Sequence, residues 1–243
     1  TALGNIAMAG YSSDNLSSMI EKVTSGATGA LGKIQMSGYD SADLTSMVEK
    51  VTAGATVALG KIEMTGYDAG DLSGMVEKIT AGATTALGDI SMTGYDANDL
   101  STMIEKVTSG ATEALGDISM TGFSFDNVSS LTSKITTATT NSLGEIRMTG
   151  YDHTNIPSDI ANSVTTGANA GKNKRPPMLK EITKVSSPTK DKTPDYIFNS
   201  SSAGTITYGG NCSSSTTNAA ADNITITLNS MSDGTYSNCT ITV

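Results

Sequence analysis

Leu3, Leu31, Leu59, Leu87, Leu115 and Leu143 stand 28 positions apart, and each is followed by Gly and by an apolar–polar alternation that ends in Gly-Tyr or Gly-Phe. Six occurrences at one period define an internal repeat from Thr1 to about Gly171, with the unit L-G-x-I-x-M-x-G-Y-D-x-x-D-L-S-x-M-V-E-K-V-T-A-G-A-T-x-A. Thr1 falls partway through a unit, so further repeats are expected before it. Within one unit Leu44, Met47, Val48, Val51, Ala55, Ala58 and Leu59 follow the three- and four-residue steps of an amphipathic helix. Before it, in every copy, stands an Asx side chain able to accept first-turn N–H bonds. We therefore expect Asn15, Asp43, Asp71, Asp99, Asn127 and Asn155 as helix N-caps. Gly32, Gly60, Gly88, Gly116 and Gly144 follow the helix, where a left-handed cap would need no Cβ. That leaves about sixteen helical residues, roughly 24 Å at ~1.5 Å per residue. Gly26, Gly54, Gly82 and Gly110 fall inside it, and the fifth unit has Ala138 there. Ala would not replace a Gly needed for positive φ, so this column reads as small for close helix packing.

From Gly60 to Gly70 the pattern becomes strict alternation, with Ile62 and Met64 apolar and Lys61, Glu63 and Thr65 polar, the period of a half-buried strand. The expected fold of residues 1–171 is an α/β repeat solenoid of strand–turn–helix units whose strands stack in parallel. The alternative is an all-α solenoid in which the helix continues through Ile62 and antiparallel helices are joined by G-Y-D loops. Three Gly per unit argue against a coiled coil. The rhythm L-x-x-I-x-M-x-x-Y loosely resembles leucine-rich repeats, with Tyr where those hold Asn or Cys. The sixth unit carries Pro157 in its first helical turn and matches the others after Val164 only with a one-residue shift, as suits a capping repeat.

Residues 172–177, Lys-Asn-Lys-Arg-Pro-Pro, read as a linker. From residue 178 to 243 short Thr/Ile/Val/Tyr runs at Ile182–Val185, Tyr196–Asn199, Gly204–Tyr208, Ile224–Leu228 and Tyr236–Val243 alternate with turn residues, the spacing of a β-sandwich. Within it P-D-Y-I-F (194–198), A-G-T-I-T-Y-G-G-N-C (203–212) and S-D-G-T-Y-S-N-C-T-I-T-V (232–243) resemble immunoglobulin-like modules of large bacterial surface and adhesin proteins. The resemblance implies an all-β Ig-like sandwich lacking its last strand, and an extracellular or bacterial cell-surface location. Cys212 and Cys239 both fall in this segment of a Ser/Thr/Asn-rich chain. They read as a structural disulfide in an oxidising compartment, worth about 3.5 kcal/mol in the chain-entropy account, with two free buried thiols as the other reading.

Charge divides the chain as the patterns do: residues 1–171 carry 8 Lys/Arg against 19 Asp/Glu, and residues 172–243 carry 7 against 5. A net charge of −9 argues against nucleic acid as a partner, and no apolar run of about 18 residues offers a membrane span. With one His, two Cys and no Trp, few catalytic or metal constellations can be assembled; we expect no enzyme, no cofactor and no metal. Asp40/Asp43, Asp68/Asp71 and Asp96/Asp99 read as capping on an acidic edge rather than a row of calcium sites. The Tyr column reads as a packed ladder rather than a ligand ridge, and Glu49-Lys50 with its equivalents as solvated helix-face charge. Lys172 to Lys192 reads as solvated linker. The expected function is a non-enzymatic structural or adhesive segment of a long surface or secreted protein, partnered by neighbouring segments of a longer chain or fibre. The alternative is a recognition module whose repeat face binds a protein or glycan.

Overall fold

In the computed structural model, residues 13–35, 37–62 and 66–243 are described; Leu3, Ser12 and Met64 lie outside them. Six helices are followed by a small antiparallel β region, and the chain divides into two compact units, Thr1–Arg175 and Pro176–Val243.

The helices are α1 (Ser13–Leu31), α2 (Ser41–Leu59), α3 (Leu72–Ala86), α4 (Leu100–Ala114), α5 (Phe125–Leu143) and α6 (Ser158–Lys174), with 3-10 turns Leu87–Asp89 and Leu115–Asp117 closing α3 and α4. Each helix packs chiefly on the helix two units away, so that α1, α3 and α5 form one series and α2, α4 and α6 another. Helices in a series run in the same direction, since Ser17 neighbours Gly74 and Glu21 neighbours Lys78. One core joins the two series, built from Leu44, Val48, Leu87, Leu100, Ile104, Leu143 and their neighbours.

Residues 63–65 of the strand expected over Gly60–Gly70 lie outside the described residues, but the same segment at 88–94 and 116–122 forms no strand, and no parallel sheet is present: among the described residues the first strand begins at Leu179, and every sheet is antiparallel. The helix does not continue through Ile62 either, because α2 ends at Leu59. Helices pack about 8–10 Å apart, whereas paired strands need ~4.8 Å, so links that follow the helix spacing do not form a ladder. Their apolar residues still serve the core. Ile90 and Ile146 are buried, and Met92 and Met148 pack half-buried against it.

The expectation of left-handed glycine caps is also corrected. Gly60 and Gly144 close their helices at φ −69° and −70°, in the right-handed region. Gly60 is instead required by proximity: a Cβ there would stand 3.0 Å from the Ser119 nitrogen, two units on. The left-handed conformation belongs to Gly38, Gly66, Gly94, Gly122 and Gly150, each before the aromatic residue of its repeat, as at Gly94 with φ +83°, where Tyr95 N–H closes a turn onto the Met92 carbonyl at 3.2 Å.

The second unit holds a three-stranded sheet of β1 (Leu179–Thr183), β2 (Asp195–Ser200) and β6 (Asn223–Thr227) in the order β1-β2-β6. Two further pairs join β3 (Gly204–Thr205) to β5 (Asn218–Ala219) and β4 (Thr207–Gly209) to β7 (Thr240–Thr242). Phe198, Ile206, Ile224, Ile226 and Leu228 form its core, and β6 alternates buried isoleucine with exposed threonine. The strand expected over Tyr236–Val243 shortens to β7. The linker expected at 172–177 is partly helical, because α6 extends to Lys174 and the division falls after Arg175.

Candidate functional site

Of the recurring Asp pairs, Asp40/Asp43 is a capping box. At α2 the Asp40 carboxylate accepts N–H bonds from Ala42 (2.9 Å) and Asp43 (3.2 Å), while Asp43 accepts from the Asp40 N–H at 3.3 Å. The cap is therefore Asp40, and Asp43 is its partner three residues on. Asn127 has the same place behind the cap Ser124, whose N–H it accepts at 2.8 Å. Asp71 and Asp99 stand at the N-cap position without a capping bond of their own; each accepts instead from the N–H of Asp68 or Asp96. Asn15 lies inside α1, and Asn155 precedes the α6 cap, Pro157. The expected cap is thus displaced by one turn at α2 and α5 and stands at the expected residue at α3 and α4, because both members of D-x-x-D are competent acceptors and only the backbone tells which one leaves the helix. Among the described residues no three His, Cys, Asp or Glu side chains gather as a metal site would need.

The tyrosines finish the other end of the helix. Tyr39, Tyr67, Tyr95 and Tyr151 donate their hydroxyls to the carbonyls of Leu31, Leu59, Leu87 and Leu143 at 2.9–3.0 Å. Phe123 stands in the same column and has no hydroxyl to offer. Burial, reinforced by Asp71 and Asp99 respectively, pushes the Tyr67 and Tyr95 phenols well above their ordinary range.

Between helices of one series, charge and close approach repeat together. Lys78 pairs with Glu21 (2.9 Å), Lys106 with Glu49 (3.3 Å) and Lys134 with Glu77 (2.7 Å), always 57 positions apart. A Cβ on Gly82 would stand 2.8 Å from the Glu21 carbonyl oxygen, and one on Gly110 would stand 2.5 Å from that of Glu49. Gly167 approaches the Glu105 carbonyl in the same way. Glu49 is bonded also to Lys174 (2.6 Å) and Ser109 (3.2 Å). Burial pushes its pKa up, but the Lys174 hydrogen bond and the Lys106 charge outweigh burial and hold it below its ordinary value. The reading of Glu49 as solvated charge and of Lys174 as solvated linker is thus corrected. The Glu-Lys pair recurring at 21–22, 49–50, 77–78 and 105–106 was the visible signal; its partner two units away was not.

Cys212 and Cys239 are disulfide-bonded, with Cα atoms 5.3 Å apart. The bond borders a groove of about 890 Å³ lined by Val185, Pro188, Leu228, Met231 and Tyr236, with Lys192 and Asp233 3.9 Å apart. What the first unit's arrangement does is hold helix on helix. No helix among the described residues is long and apolar enough to cross a membrane. No protein-family model matches the chain, and no curated protein matches it.

Proposed function

We propose that the chain is a non-enzymatic structural or adhesive segment of a long bacterial surface or secreted protein, with the helical repeats as a rigid solenoid spacer and the β unit as an Ig-like stalk module. The observation that carries this reading is one interface used again and again. The α1–α3 contact recurs as α2–α4, α3–α5 and α4–α6, with a Glu–Lys pair in three of the four at the same offset. An interface that regenerates itself lets length be set by copy number, which is what a spacer requires. The disulfide adds support for an oxidising, extracellular compartment.

The test is to insert a duplicate of residues 60–115 in register and measure the largest dimension by small-angle scattering. Each inserted pair of units should lengthen the particle by about 8–10 Å, one helix spacing per series. An unchanged dimension would reject the spacer. Protease protection of the chain on intact cells of its source would reject the surface location.

A further inference from the structure

The contact between units two apart has a donor side and an acceptor side, and α1 and α2 leave one side unfilled. In α3, α4 and α5 the side turned to the preceding helix of the series is buried: Met75, Met103 and Leu131 are at most 3% exposed, and Ile79, Val107 and Ile135 are 0% exposed. The same columns in α1 and α2 are open. Val23 is 53% exposed, and Val51, Met19 and Met47 are half-buried. A Cβ on Gly26 or Gly54 would meet nothing within 4 Å, whereas one on Gly82 or Gly110 would strike a backbone carbonyl. The cations of the column behave alike: Lys78, Lys106 and Lys134 have carboxylate partners, and Lys22 and Lys50 have no ion pair among the described residues.

We propose that this face of α1 and α2 is a docking surface for two further helices of the same repeat class, joined to the chain in tandem, each carrying a carboxylate 57 positions before Lys22 or Lys50. The surface continues an interface the molecule already uses four times, and its charge calls for the complement that Glu21, Glu49 and Glu77 supply elsewhere. A second copy stacked head to tail does not supply it. On α5 and α6 the carboxylate column ends at Ser133 and Ala161, and α5 turns Ser133, Thr137 and Thr140 to solvent. The proposal stands on the packing alone and holds whether or not the chain works at a cell surface.

The test fuses a copy of residues 57–112 in front of Thr1, which sets the copies of Glu77 and Glu105 at the required offset. Val23→Cys, in a background whose other two cysteines are bonded, reports the face through its alkylation rate. Alkylation should slow by about tenfold or more in the extended chain. Lys22→Glu with Lys50→Glu should leave the urea midpoint of the original chain unchanged and lower that of the extended one, with recovery on Glu→Lys at the copies of Glu77 and Glu105. Equal alkylation in both chains would overturn the proposal, as would charge reversal without effect in the extended chain. Protection of Val23→Cys in the original chain that grows with protein concentration would overturn it in favour of a second copy.

Discussion

The Tyr95 hydroxyl donates at 3.0 Å to the Leu87 carbonyl, one of the acceptors that a helix end leaves without an intrahelical partner. Removing it strands a buried acceptor, so Tyr95→Phe should cost about 1 kcal/mol in urea unfolding. Phe123→Tyr should add the missing bond and stabilise by ~0.5–1 kcal/mol. The same tyrosines set the alkaline limit. Burial and the nearby Asp71 and Asp99 raise the folded-state pKa of Tyr67 and Tyr95 above the ordinary phenol value of about 10, so the unfolded chain releases these protons first. Their stabilisation is complete below about pH 10 and is lost as pH rises beyond it. Urea midpoints measured across that range should fall for the native chain and fall less steeply for Tyr95→Phe; parallel slopes would show that Tyr95 does not carry the effect. That the column packs was readable from its place beside the turn. Its hydrogen bond was not, because the acceptor lies eight residues back across a link whose alternating pattern reads as a strand.

At the scale of the element, helix positions were legible because a 3.6-residue period sustained over four turns has no competing explanation. The link was not. Ile62 and Met64 make two apolar positions at a period of two, which an extended connection satisfies as well as a strand does. Three glycine columns show the same limit: sequence marks where Cβ is excluded without saying whether conformation or a neighbour excludes it. Only Gly66, Gly94 and their equivalents have positive φ, whereas Gly82 and Gly110 make room for a carbonyl. Buried threonine was likewise missed as a core residue. Thr52, Thr80 and Thr108 bury by donating to the carbonyl four residues back, yet Thr84 and Thr112 have buried hydroxyls with no partner. Thr84→Val should therefore be neutral or stabilise by up to ~1 kcal/mol, and a loss of more than that by calorimetry would mean its hydroxyl is bonded after all.

At the scale of the molecule, a division into two units is legible in the change of pattern and charge, while the first unit is helical where strand–turn–helix repeats are expected, and α6 runs on into the expected linker. Because Cys212 and Cys239 belong to the second unit, reduction should destabilise that unit by about 3.5 kcal/mol and leave the helical far-UV transition in place. A simultaneous shift of both transitions would mean that the units unfold together. The account rests most heavily on packing at an offset of two units, and one pair of variants addresses it directly. Gly54 and Gly110 occupy the same place in their repeats, but only Gly110 has a helix of its series against it, with the Glu49 carbonyl 2.5 Å from where a Cβ would stand. By helix propensity alone, alanine should help at both, by up to about 1 kcal/mol. The packing described here predicts opposite signs: Gly54→Ala raises the urea midpoint, and Gly110→Ala lowers it, with a loss of ~1–3 kcal/mol of stability. Midpoints that rise together in the two variants would contradict it.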